Sequence, residues 1–260
     1  MRSILTILIG SGRGFPLVTA VLLIFATPAN QVVSAEKPDA ALKATVASAA
    51  LVSKDIPSTV KIYRTQGGLR FSEGGKDILF YNRDPISGED GQHKRGHYIH
   101  PLYDLDGVLM THDMPADHLH HRGVFWAWTQ LWIDELRIGH PWEQRGLSWN
   151  VRHVQILGDE SSAAIKTDVL WNSPLWTDKQ GKPKPIVEEH SIIRVHEASR
   201  NVRLIDFEIR LRAFETNVRL GGSMNSKGYG GFSVRIPLPS DLQIIGPEGP
   251  VAVDWRKPSP

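Results

Sequence analysis

The chain has 260 residues, with 30 Lys and Arg against 28 Asp and Glu, and no Cys. Its length allows one large domain, and 41% hydrophobic with 22% charged residues is the composition of a folded globular protein, not a disordered one. The missing thiols exclude disulfides, thiolate metal sites, iron–sulfur clusters and cysteine nucleophiles, and the small net charge disfavours a strongly basic nucleic-acid binder while leaving room for a small basic patch.

The N-terminus reads as an export leader. Arg2 and Arg13 are the only charged residues before Glu36, so the rest of the chain is neutral. An apolar run follows from Leu17 to Ala26, shorter than the roughly 20 residues a spanning helix needs. Val33-Ser34-Ala35 then offers small residues for a signal peptidase. A basic start, a short apolar run and a small-residue site describe a secretory signal over residues 1–35. They predict a secreted or periplasmic protein with no membrane segment after cleavage. An uncleaved anchor is the alternative. Residues 36–57 are rich in Ala, Ser and Lys and read as a linker, leaving 58–260 as the folded domain.

From Thr59 onward the dominant period is two, the mark of half-buried strands. Strands are predicted at Val60–Arg64, Ile78–Tyr81, Gly123–Trp132, Val151–Leu157, Ala163–Trp171, Ile186–His196, Val202–Phe214 and Phe232–Ile236. In Val202–Phe214, Ile205, Phe207, Ile209 and Leu211 alternate strictly with Asp206, Glu208, Arg210 and Arg212. Gly67-Gly68, Gly74-Gly75, Asp84-Pro85, Gly158-Asp159 and Gly181 mark turns. No long amphipathic helix follows the linker, although Gln130–Arg137 could hold a short one. The expected fold is all-β, an antiparallel sandwich. The chain stops at Lys257-Pro258-Ser259-Pro260 with no closing strand in its pattern, so C-terminal strands are expected to be missing.

Seven of the eleven His fall between residues 93 and 121: His93, His97, His100, His112, His118, His120 and His121. Imidazole fills a core poorly, because each ring carries polar nitrogens that need partners. Two chemistries fit. On a strand, His118 and His120 would point to one side and chelate a divalent metal, with His97 or His100 as third ligand and Asp113 or Asp117 as carboxylate. Without a metal, His118 and His121 would serve as acid and base, Asp117 would orient an imidazole, and Arg122 would clamp an anion. Strict strand parity would split that second set, so it needs a turn or bulge, which Pro115 makes plausible. Turn capping by single His side chains is the structural alternative.

Five of the eight Trp lie between Trp126 and Trp149. Trp126 and Trp128 share a strand face and read as core. Trp142, between Gly139 and Gly146, reads as an exposed platform for a sugar ring. The run Lys227-Gly228-Tyr229-Gly230-Gly231-Phe232 is a tight loop, not a dinucleotide fingerprint, and Lys227 and Arg235 beside it are candidate ligand contacts, with surface or salt-bridge roles equally open. The chain has no G-x-S-x-G, phosphate-loop or H-E-x-x-H motif.

The blocks Tyr98-Ile99-His100-Pro101-Leu102-Tyr103, Asp117-His118-Leu119-His120-His121-Arg122-Gly123 and Lys227–Arg235 resemble the bacterial family labelled "methane oxygenase PmoA". The resemblance spans roughly residues 60–260. It implies a secreted β-rich domain with a His/Asp/Arg site, and that family's genomic company suggests polysaccharide or glycoside use. The label itself implies a metal-dependent oxygenase, yet the chain lacks the spanning helices of the membrane subunit with that name. The pattern is also similar, at the level of fold, to mutarotase-like sandwiches. The expectation is an exported carbohydrate-active protein, a lyase, epimerase or hydrolase. Its acid–base residues would be His118, His121, Asp117 and Arg122, with His100, Trp142, Lys227 and Arg235 contacting substrate. A non-catalytic glycan-binding module is the expectation from a different class.

Overall fold

A computed structural model describes residues 2–10, 31–33, 53, 55–237, 244–246 and 249–251. The apolar run Leu17–Ala26, Ser34-Ala35, most of the linker and Lys257–Pro260 lie outside the described residues. The described strands are β1 (Arg2–Gly10), β2 (Gln31–Val33), β3 (Val60–Thr65), β4 (Gly68–Glu73), β5 (Lys76–Asn82) and β6 (Tyr98–Leu102). They continue with β7 (Val124–Trp128), β8 (Gln130–Ile133), β9 (Leu136–Gly139), β10 (Ser148–Gly158), β11 (Ser162–Thr177) and β12 (Pro183–His196). Last come β13 (Val202–Ala213), β14 (Val218–Gly221), β15 (Gly230–Val234), β16 (Ile244–Gly246) and β17 (Gly249–Val251). Among the described residues the single helical element is a 3-10 turn at Pro141–Glu143, and no helix is long and apolar enough to cross a membrane.

The fold is all-β, as the alternation predicts. A five-stranded sheet runs β1-β13-β12-β11-β10, a six-stranded sheet β15-β7-β6-β5-β4-β3, and a four-stranded sheet β2-β14-β8-β9; every described pairing is antiparallel. Ile205, Phe207, Ile209 and Leu211 of β13 enter the core shared by the sheets, with Ile193 and Val195 of β12, Val60 and Ile62 of β3, and Trp126 of β7. Rings interlock across the layers: Phe207 lies 5.0 Å from Phe232 and 6.3 Å from Trp126. Successive residues of a strand face opposite sides. Phe125 and Ala127 of β7 therefore form a second, smaller core with Tyr98 and Trp142 on the outer face of the six-stranded sheet.

Two local expectations are corrected. The run Gly123–Trp132 is not one strand: it breaks at Thr129, and β7 and β8 join different sheets. Gln130–Arg137 is not helical. It is a hairpin of β8 and β9, turning at Asp134 with φ +50°, which buries Leu131, Ile133 and Ile138 at strand spacing. Residues 2–10, the start of the expected leader, form β1 on the edge of β13, where Leu5, Ile7 and Ile9 pack into the core and Thr6 donates to Asp206. Cleavage after Ala35 would remove β1 and leave β13 at the edge.

One carboxylate lies in the middle of the sandwich. Glu189 of β12 is fully buried and accepts from the indoles of Trp126 at 2.7 Å and Trp171 at 2.8 Å and from the Ser191 hydroxyl; His97 Nε2 lies 2.7 Å away. His97 Nδ1 meets the Tyr81 hydroxyl at 2.8 Å. Burial alone would raise the Glu189 carboxyl, but the His97 charge and the hydrogen bonds from His97, Ser191 and Trp171 outweigh it and hold the group below its usual range.

Candidate active site

The segment between β6 and β7 is not a strand. His118 N bonds the Pro115 carbonyl and His121 N bonds the His118 carbonyl, so residues 115–121 form consecutive turns. These turns bring side chains together that strand parity would have separated. His118 and His121 stack with centroids 4.6 Å apart and planes 14° off parallel. His120 stands edge-on to both, 4.6 Å from His121 and 5.8 Å from His118.

The end of the motif is structural. A Cβ on Gly123 would stand 2.0 Å from the Ile99 carbonyl oxygen, so only glycine lets β7 approach β6 this closely. Arg122 is fully buried, which corrects the expectation of an anion clamp. Its Nε bonds Asp113 at 2.7 Å, its Nη1 bonds the carbonyls of Ile86 and His93, and its Nη2 reaches Asp113 and the Tyr98 hydroxyl. Those bonds tie the 86–97 loop to the 112–123 segment, and they engage all three guanidinium nitrogens.

Arg235, just past β15, takes the place next to the histidines. Its Nη2 donates to Asp117 Oδ2 at 2.7 Å, and His118 Nδ1 meets the same oxygen at 2.8 Å. Backbone bonds from Arg235 N to the Gly123 carbonyl and from His112 N to the Arg235 carbonyl fix the approach. Hydrogen bonds from His118 and then Arg235 hold the Asp117 carboxyl at about 2, so it is ionised at any ordinary pH. An ionised carboxylate is a pure acceptor, so a neutral His118 ring beside it carries its proton on Nδ1 and keeps the lone pair on Nε2.

His121 is set differently. Burial, then the neighbouring His120 and His118, then Arg235, push its imidazole down to about 4, so it is neutral near pH 7. Burial likewise lowers His120 and, across the site, His140. The floor is aromatic. Trp142 packs 5.2 Å from Phe125 and edge-on to His121 at 5.8 Å, and Tyr229 stacks over Trp142 at 5.8 Å. Trp142 is thus buried, against the expectation of an exposed platform, because Tyr229 covers its face. Tyr229 itself is 45% exposed, and Lys227 Nζ stands 5.7 Å from its ring.

Two predicted members are elsewhere. His97 lies in the main core on Glu189, so the metal set of His118, His120 and His97 is not assembled. Among the described residues no group of three or more His, Asp or Glu side chains is arranged to hold a metal ion. His100 bonds Thr111 Oγ1 at 2.9 Å, and burial lowers its pKa; it supports the segment from β6 and does not join the imidazole stack.

A family model described as "Family of unknown function (DUF6807)" matches residues 68–257. The chain belongs to that family. No curated protein and no solved structure matches the chain. The DUF6807 match covers both the 112–123 segment and Arg235, so every residue of the imidazole site lies inside the family region.

Sequence reasoning missed two residues that matter. Tyr229 carries no signal of its own within the glycine-rich loop Lys227–Phe232. Glu189 carried a legible signal: it shares strand parity with Val187, Ile193 and Val195, and a carboxylate in an apolar phase marks a buried network.

Proposed function

We propose that this DUF6807 protein is an exported carbohydrate-active enzyme that moves a proton at a sugar carbon or oxygen, as a lyase, epimerase or hydrolase. The observation that carries the reading is the Arg235–Asp117–His118 chain beside the neutral ring of His121. His118 Nε2 would take the proton, with Asp117 holding the ring and stabilising the imidazolium that forms. Neutral His121 would donate a hydrogen bond to the oxygen on which charge develops, a role that suits an imidazole too acidic to act as a base near pH 7. The exposed face of Tyr229 would stack on the apolar face of a sugar ring. Lys227 would contact hydroxyl or carboxylate groups at the rim. Export rests on the leader-like residues 1–35. A mutarotase-like ancestry would fit the same chemistry.

A second reading is favoured by Tyr229 alone: a glycan-binding module without turnover. One pair of variants separates the two. In the enzyme, His118→Ala keeps sugar affinity and abolishes conversion, while Tyr229→Ala weakens binding and leaves residual turnover. In a binding module, His118→Ala changes nothing and Tyr229→Ala removes the only activity there is.

A further inference from the structure

Arg95 is a buried cation with two unpartnered guanidinium nitrogens among the described residues. The residue is 1% exposed and its guanidinium lies between two aromatic faces, 4.2 Å from the Trp149 ring centroid and 4.9 Å from that of Phe125. Nη2 donates to the Trp126 carbonyl at 2.8 Å. Nε and Nη1 are buried and have no hydrogen-bond partner among the described residues, and the same holds for Nε1 of Trp149, the ring that stacks on the guanidinium.

The nearby carboxylates are already committed. Glu189 is held by His97, Trp126, Ser191 and Trp171, and Asp113 by Arg122 and Tyr98. Arg122 adds a second buried positive charge. Burial, followed by that neighbouring charge, pushes the Arg95 guanidinium down to about 9, which still leaves it cationic near pH 7. A buried cation needs both hydrogen-bond acceptors and countercharge. A neutral acceptor would supply the first only. An anion supplies both, and at a group this enclosed it must be small.

We infer that Arg95 and Trp149 form an internal binding site for a monatomic anion, chloride under physiological conditions. The ion accepts from the unpartnered edge of the guanidinium and from the Trp149 indole N–H, with the aromatic rings of Phe125 and Trp149 closing the faces. The site lies behind Phe125, whose ring also packs against Trp142, so it braces the small core beneath the imidazole cluster from the inside.

The test is thermal unfolding of the full chain in sodium chloride or sodium bromide against sodium gluconate at matched ionic strength, with crystals grown in bromide for anomalous scattering. The expected result is a melting temperature several degrees higher in either halide and a bromide peak at Arg95. Trp149→Phe keeps the ring and removes one donor, so it should fold and lose much of the halide response; Arg95→Met should lose all of it. Equal melting in halide and gluconate, with water and no bromide at Arg95, would overturn the inference, as would an undiminished halide response in Trp149→Phe and Arg95→Met.

Discussion

Arg235 donates to Asp117 across 118 residues of sequence, at 2.7 Å, onto the same carboxylate oxygen that faces His118. The contact joins the end of β15 to the turns before β7. It gives the His–Asp pair a fixed geometry although Asp117 and His118 are about half exposed, at 57% and 48%. Removing it should loosen the pair without unfolding the sheet. Arg235→Met should raise the Asp117 pKa from its depressed value and weaken the Nδ1–H tautomer of His118. Ring 15N shifts of His118 report the tautomer directly, and melting within a degree or two of the native protein would separate positioning from folding. Any turnover should fall roughly 10- to 100-fold, the range expected when an orienting partner is lost.

His121 makes a pH prediction. Its folded value near 4 lies below that of an unfolded histidine, so between about 4 and 6.5 the unfolded chain binds the extra proton. Stability therefore rises with pH over that window and falls on acidification from 6.5 toward 4. Solvent screening at this half-buried ring leaves an effect of about 1 kcal/mol. His121→Gln should flatten the slope, measured by urea unfolding at pH 7 and pH 4.5. A 13C or 15N titration of the ring should give a midpoint well below 6.

Glu189 is a stability residue. Its carboxyl is depressed in the fold, so the stability it contributes is present above the unfolded carboxylate value and is lost as pH falls through the folded one. Glu189→Ala leaves His97, Trp126 and Trp171 without their buried acceptor. The cost should be about 3–5 kcal/mol, the scale of breaking a buried pair. Denaturant midpoints measure it. The proposed sugar binding at the imidazole site should survive in whatever fraction remains folded.

Gly123→Ala should be nearly as harmful although it adds one methyl group. Its Cβ would overlap the Ile99 carbonyl at 2.0 Å, forcing β6 and β7 apart next to the site. We expect a loss of about 2 kcal/mol or more, of the size seen when a closely packed interior is overfilled. Circular dichroism melts would show it.

The leader reading has a direct readout. If export removes residues 1–35, the secreted chain begins at Glu36 and intact mass shows it. The mature protein then lacks β1, and amides of β13 should exchange faster than those of β12, which is paired on both sides.

The fold was legible because strand alternation is local. The phases of β12 and β13 place Ile193, Val195, Ile205 and Phe207 inward with no knowledge of the partner sheets. Breaks were harder. Thr129 carries no turn signature, so β7 and β8 read as one strand, and Asp134 carries none either, so the hairpin of β8 and β9 is not marked. At the site, the sequence pointed to Asp117, His118 and His121 through histidine crowding and through the Asp117–Gly123 block. It misplaced Arg122, His97 and Trp142 because burial of a polar or aromatic side chain is decided by distant partners: Asp113 and Tyr98 for the first, Glu189 for the second, Tyr229 for the third. Arg235 was singled out, but its pairing with Asp117 is a tertiary fact that spacing cannot carry.

The proposed proton transfer at a sugar by His118, with His121 as hydrogen-bond donor, is best tested by one experiment. Proton NMR spectra of the protein with a panel of mono- and oligosaccharides, uronates included, are followed in D2O over hours. Anomer exchange, loss of a C–H signal to deuterium, an alkene signal from elimination, or a new reducing end would each appear in the same spectrum. At least one of these should run faster with the native chain than in a protein-free control, and none should exceed that control with His118→Ala at an unchanged melting temperature. Identical spectra from native protein and His118→Ala would contradict it.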